Sequence, residues 1–196
     1  MTIPYKIKAK KAQPIPKNNL NILALDLSIS STGYTVISKG EIIECNRIVT
    51  DKANKASERV REGYKHFFVS LNEDERIYYI ASIIDELTKK YNITDFCIED
   101  QYIGCNPKTG LTLSKLKGSV IYIGMNNNIN IHHMKPTEVR MHLMGIGSAD
   151  KLAVANFIRN NYYDVGEFVD KKSKKKTDDM YDSIGCGVAL LNKLYE

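Results

Sequence analysis

The sequence predicts an α/β fold, a mixed five-stranded sheet with helices on both faces. Two patterns carry this. Residues 21–50 hold three short apolar runs, separated by a turn-rich stretch at 28–33 and by Lys39-Gly40, which is the pattern of an antiparallel meander. From residue 73 onward, short strand-like runs alternate with segments whose apolar residues recur every three or four positions. Strands that alternate with helices pair in parallel and carry the helices on the sheet faces. The length of 196 residues suits one domain and is too short for a two-lobed ATPase or kinase.

Taken in order, residues 1–19 contain Pro4, Pro14 and Pro16 with Lys6, Lys8, Lys10, Lys11 and Lys17 and no acid. This stretch reads as a flexible basic arm, with the folded domain spanning 20–196. Residues 21–27 form a buried strand, and 34–38 and 41–50 two more. Residues 51–71 are polar and irregular, with one expected helix near 57–66. A clearer helix covers 73–91, where Ile77, Ile80, Ile84, Leu87 and Tyr91 share a face. A strand at 94–99 ends in an acid. A helix follows at 109–125 on Leu113, Leu116, Val120 and Ile123, then a strand at 130–134. Pro136 suits the first turn of a short helix to residue 143. After the break at Gly145-Ile146-Gly147, Ser148 is the expected cap of a helix through 161. Thr177 or Asp178 caps the last helix, which runs to about residue 194. The order β-β-β-α-β-α-β-α-α-α is that of the ribonuclease-H-like group.

Lys plus Arg is 28 and Asp plus Glu is 23, a net charge of +5. The excess is concentrated in the arm and in a second run, Lys171, Lys172, Lys174, Lys175 and Lys176. Concentrated cations favour a polyanionic partner, above all nucleic acid, although lysine runs also serve as solvated tails. No apolar run approaches the ~18 residues of a membrane span, and the basic N-terminus lacks the apolar core of a signal peptide. Cys45, Cys97, Cys105 and Cys186 include no C-x-x-C pair. They read as reduced thiols of a cytoplasmic protein, not as a disulfide frame or zinc site. His66, His132, His133 and His142 show no metal-ligand spacing. The adjacent pair 132–133 should point to opposite faces of its strand.

The acids are more informative. Asp26 lies inside the apolar run Ile22-Leu23-Ala24-Leu25-Asp26-Leu27, and Glu99 ends Phe96-Cys97-Ile98-Glu99. A charge at the end of a buried strand is costly unless something compensates it. Asp179 and Asp182 are three apart at the start of the last helix and share a face. That helix continues through Gly185, Cys186, Gly187 and Ala189, small residues that permit close packing on the sheet. Such packing would bring its acids to the strand ends. Each acid alone has an ordinary explanation, as a turn former, an ion-pair partner or a helix-start acid favoured by the dipole. Together they describe a site for hard divalent cations, with Mg²⁺ as cofactor and Mn²⁺ able to substitute. Paired ions of this kind serve phosphodiester cleavage.

Four ordered blocks resemble the RuvC Holliday-junction resolvases over most of residues 20–194. They are Ile22–Asp26 with Thr32-Gly33-Tyr34-Thr35-Val36-Ile37; Phe96–Tyr102 with Leu111-Thr112-Leu113 and Lys117-Gly118; Val139-Arg140 with Met144-Gly145-Ile146-Gly147-Ser148-Ala149-Asp150-Lys151; and Asp179-Met180-Tyr181-Asp182-Ser183. The resemblance implies a homodimeric, structure-selective endodeoxyribonuclease that nicks four-way junctions symmetrically, leaving 5′-phosphate and 3′-hydroxyl ends. It implies that Asp26, Glu99, Asp179 and Asp182 are the metal-binding catalytic acids. Arg140 and Lys151 fall where the family has basic residues near the scissile phosphate, and Lys151 is counted with the catalytic group. Tyr102 matches an aromatic that stacks into the open junction centre. Lys115 and Lys117 are further candidates for phosphate contact, with a solvated helix face as the alternative.

The chain departs from the family pattern at Leu27-Ser28, where Pro-Gly is usual, and in the arm, the 51–71 segment and the lysine-rich loop. In these it resembles divergent phage and mobile-element members. The expected partners are branched DNA and a second copy of the chain, in the cytoplasm of a bacterial or phage-infected cell, with no membrane and no organic cofactor. Three other readings stay open: a broader branched-DNA debranching nuclease, a non-catalytic branched-DNA binding module, and a nuclease for RNA–DNA hybrids. An actin-like phosphate loop at Asp26–Gly33 is excluded by length and by the lack of a second glycine-rich loop.

Overall fold

The computed structural model describes residues 9–52, 64–100, 107–165 and 178–195. The elements are β1 (Asn21–Asp26), β2 (Ser31–Ser38), β3 (Glu41–Asp51), β4 (His66–Val69), α1 (Glu73–Lys90), β5 (Asp95–Glu99), α2 (Pro107–Asn126), β6 (Asn130–Met134), α3 (Pro136–Met144), α4 (Lys151–Asn161) and α5 (Asp178–Tyr195). The sheet order is β4-β3-β2-β1-β5-β6. β1, β2 and β3 form the antiparallel meander, whereas β5 pairs in parallel with β1 and β6 in parallel with β5. Mixed pairing is as expected, but the sheet has six strands rather than five. The additional strand, β4, adds in parallel to β3 through His66↔Ile48 to Val69↔Asp51. It is four residues long and half-buried, too short for alternation to announce it. Most of the helix expected near 57–66 lies outside the described residues, but His66 opens β4 instead of ending a helix.

The apolar run of β1 is continuous because both of its faces are covered. Leu23 and Leu25 point to one face, where Tyr34, Val36, Phe96 and Ile98 meet Ile77, Ile80, Ile84 and Leu87 of α1 and Leu116 and Val120 of α2. Ile22 and Ala24 point to the other, where Ile37 and Cys97 meet Ile184, Val188 and Leu191 of α5, with α3 and α4 outside it. α1 is capped by the Asn72 side chain, carries Glu73, Asp74 and Glu75 in its first turn and ends in Lys89 and Lys90, an arrangement that complements its dipole.

α5 lies very close to the sheet. A Cβ on Gly187 would sit 2.8 Å from Ile37 Cδ1 and 3.0 Å from Ala24 Cβ, and one on Gly33 would sit 1.9 Å from the Asp179 carbonyl oxygen. The small residues of the helix and of β2 therefore set how deep its first turn reaches. Cys97 and Cys186 are buried free thiols whose sulfurs approach to 3.1 Å across this contact.

Two local expectations change. α4 begins at Lys151, and its cap is Asp150, whose carboxylate accepts the Ala153 amide at 2.8 Å. Ser148 stands two residues too early: Gly145 ends α3 in the left-handed region and the chain needs 146–149 to turn. The described part of the N-terminal stretch packs on the domain instead of standing clear of it. The Lys10 amide donates to the Met144 carbonyl at 2.8 Å, and Ile15 packs on the α3–α5 core.

Candidate active site

The site follows from strand geometry. β1 and β5 are parallel neighbours with Leu25 opposite Ile98, so the next residues, Asp26 and Glu99, stand side by side at the same sheet edge. α5 enters over that edge, and its first turn presents Asp179 and Asp182. One ligand atom from each of Asp26, Glu99 and Asp182 can be chosen so that all lie within 4.8 Å of one another. Asp26 is only 6% exposed. The cleft around them has a volume of about 350 Å³ and is also lined by Ser28, Arg140, Lys151 and Asp179.

The electrostatics match a site built for a cation. Burial, then the charges of Asp26 and Asp182, push the Glu99 carboxyl up to about 8, with Lys151 and Arg140 offsetting only part of this. Glu99 therefore holds its proton near neutral pH unless another positive charge enters. Burial also raises Asp179, while the Ser31 hydroxyl and the Arg47 guanidinium pull it down. Burial works to lower the Lys151 ammonium, but the hydrogen bond it donates to Asp182 and the charges of Asp26 and Glu99 outweigh this, so it is raised. Its Nζ lies 2.7 Å from Asp182 Oδ2. Hard oxygen donors at this separation, on a partly solvated cleft, fit Mg²⁺ or Mn²⁺; among the described residues no thiol or imidazole lines the cleft to favour a softer ion.

The structure thus brings Asp26, Glu99 and Asp182 into one cluster, with Asp179, Arg140 and Lys151 around the same cleft. Lys115 and Lys117 are placed elsewhere. Lys117 Nζ donates to Asp100 Oδ1 at 2.5 Å, beside Glu99 in the chain, and His133 Nδ1 lies 3.2 Å from the same oxygen. Lys115 bridges α2 to α1 through Glu73 and Asp74, both at 3.4 Å, and does not line the cleft. His132 turns to Asp95 and its neighbour to Asp100, two different acids. Tyr102 and the Lys171–Lys176 run lie outside the described residues.

Sequence reasoning missed Arg47. It sits on β3 opposite Gly33 and is 1% exposed, one of the largest fully buried side chains. Its guanidinium lies 4.8 Å from the Tyr64 ring centroid and attracts Asp179. The sequence carries no signal for it: Arg47 shares a strand face with Cys45, but only the structure shows that this face meets the Met180 carbonyl of α5.

Comparison with known proteins identifies the family. A family model described as "Crossover junction endodeoxyribonuclease RuvC" matches residues 22–188. A protein of that name from Clostridioides difficile is 26% identical, over 88% of this chain and 92% of its own length. Another from Fusobacterium nucleatum is 22% identical, over 89% and 82%. Among solved structures, Thermus thermophilus RuvC in complex with a Holliday junction substrate superposes with a TM-score of 0.65 at 11% identity, covering 90% of this chain and 95% of that one. The yeast mitochondrial Holliday junction resolvase superposes with a TM-score of 0.61 at 14% identity, over 90% and 79%. At these identities the structural matches establish the ribonuclease-H-like fold, and the family match, spanning the strands and the helix that carry all four acids, establishes descent: the chain belongs to the RuvC family of crossover junction endodeoxyribonucleases.

Proposed function

We propose that this protein is a Mg²⁺-dependent, structure-selective endodeoxyribonuclease that resolves four-way DNA junctions by paired symmetric nicks. The observation that carries the reading is the triad of Asp26, Glu99 and Asp182, whose ligand atoms lie within 4.8 Å of one another at the ends of β1 and β5 and the start of α5. A bound cation would relieve the repulsion within such a cluster. Asp26, Glu99 and Asp182 would hold the ion, with Asp179 completing the donor set from the first turn of α5. A divalent cation bound there supplies positive charge to the scissile phosphate and acidifies a water for attack on phosphorus.

The residues of the chain do the rest. Arg140 and Lys151 line the cleft from α3 and α4 and bind the phosphate that faces the acids. Arg140 can grip two phosphate oxygens at once, whereas Lys151 acts as a point charge. Tyr102 supplies a stacking surface at the junction centre, a contact of about 1–3 kcal/mol per base. Lys117, paired with Asp100, is a further candidate for phosphate contact. In-line attack with departure of the 3′ oxygen leaves a 5′-phosphate and a 3′-hydroxyl.

Two nicks need two sites, so the working unit is a homodimer. A groove between α1 and α2, floored by Ile77 and Ile123, supports this. On these helices Tyr78, Tyr122 and Met125 are 75%, 70% and 68% exposed, which is ample apolar surface for a partner copy. The reading places the protein with DNA in the cytoplasm of a bacterial or phage-infected cell. Among the described residues no helix is long and apolar enough to cross a membrane.

The test is cleavage of a four-way junction beside a Y-fork, a linear duplex and an RNA–DNA hybrid, with Mg²⁺ and with EDTA. Paired nicks in the junction alone, lost in EDTA, are expected. Equal cutting of the fork would make the protein a broader debranching nuclease, and binding without cutting a non-catalytic module.

A further inference from the structure

We infer that Lys151 is a built-in stand-in for the divalent cation: its ammonium neutralises the acid cluster through Asp182 and competes with an entering ion, whose binding frees it for the phosphate. The inference rests on the metal-site reading above and adds a competition within that site.

Three observations carry it. First, Lys151 occupies the first position of α4, a helix with no acid in its first turn. A helix N-terminus is the wrong place for a cation, because the dipole there is positive. Local helix energetics therefore do not explain the lysine, whereas its 2.7 Å contact with Asp182 Oδ2 on another helix does.

Second, the two partners differ in freedom. The Asp182 side chain is 14% exposed, held in the cleft by α5, and the Lys151 side chain is 62% exposed. The carboxylate is the fixed half of the pair. The ammonium reaches it from the rim on a four-carbon stem and can leave without burying anything or opening the fold.

Third, the cluster demands more charge than the lysine gives. The ligand atoms of Asp26, Glu99 and Asp182 converge within 4.8 Å, and the Lys151 ammonium donates to Asp182. A divalent ion would engage all three and would need the Asp182 carboxylate that the ammonium holds. Two cations on one carboxylate repel, so ion entry weakens the ion pair and the ion pair weakens ion binding. Arg140 offers an internal comparison. It lines the same cleft and acts on Glu99 by charge, so removing it changes the field but does not vacate the place of the ion.

The test is calorimetric titration of the full-length protein with Ca²⁺, a divalent probe read without catalysis, for wild type, Lys151→Gln, Arg140→Gln and Asp26→Asn. Metal-free and Ca²⁺-loaded thermal melts accompany it. Lys151→Gln should tighten Ca²⁺ binding about tenfold or more and Arg140→Gln by no more than about threefold. Metal-free Lys151→Gln should melt below wild type and gain more from Ca²⁺. Equal or weaker binding by Lys151→Gln, or the same tightening in both cation variants, would overturn the stand-in role and leave the metal site intact. Absence of binding in wild type, or binding that ignores Asp26→Asn, would instead overturn the metal site, and the stand-in role with it.

Discussion

Gly33 offers the sharpest perturbation of the site without touching an acid. It pairs with Asp26 across β1 and β2, and the first turn of α5 lands on it. In Gly33→Ala the new Cβ would lie 1.9 Å from the Asp179 carbonyl oxygen, 2.4 Å from its carbon and 3.1 Å from its Cβ. Ordinary contact begins at 3.4 Å, so the helix start must retreat by about 1.5 Å, and the obstacle is backbone, which has no rotamer to yield. Overpacking of this kind costs about 1–3 kcal/mol, a fall in melting temperature of roughly 2–12 °C for a domain of this size. The same retreat pulls Asp179 and Asp182 away from Asp26 and Glu99, and misplacement by about 1 Å costs on the order of 100-fold in rate. Single-turnover junction cleavage at saturating Mg²⁺, read beside a thermal melt, measures both. Gly118→Ala is the control. Nothing lies within 4 Å of a Cβ there, and removing a helical glycine should stabilise α2 by up to about 1 kcal/mol. Wild-type melting and wild-type cutting by Gly33→Ala would refute the idea that the α5–β2 contact sets the site.

Two further outcomes follow. The Glu99 carboxyl, raised from 4.5 to about 8 in the metal-free fold, keeps a proton that the unfolded chain has already lost above about 4.5. Metal-free stability should therefore fall as pH rises through that window, and Glu99→Gln should remove this component of the slope; an unchanged slope in the variant would show that Glu99 titrates normally. Replacing Lys6, Lys8, Lys10, Lys11 and Lys17 by Gln should weaken junction binding and flatten its salt dependence by about 0.9 in log–log slope for each phosphate no longer neutralised, whereas an unchanged slope would make the stretch a bystander.

How far the sequence could be read depended on how local each signal was. The helix at Glu73–Lys90 was legible because its periodicity is carried by the residues themselves. The acids were legible because Asp26 and Glu99 break apolar runs at their ends, and parallel pairing of two such strands places them together. β4 was not legible, since its pairing with β3 is decided across a stretch of irregular sequence. The cap of α4 was missed because Ser148 and Asp150 are both good caps and only the path after Gly145 chooses between them. Arg47 under Asp179 and the Lys151–Asp182 pair depend on how α5 lies on the sheet. No spacing in the sequence encodes that depth.

The central claim is that Asp26 holds the cation that makes this cleft a nuclease. Asp26→Asn tests it most directly, because it keeps the size of the side chain and removes only its charge. Junction binding should stay near wild type, since Asp26 lies among acids and contacts no phosphate, while cleavage in Mg²⁺ should disappear. Cutting at the wild-type rate by Asp26→Asn would contradict the account.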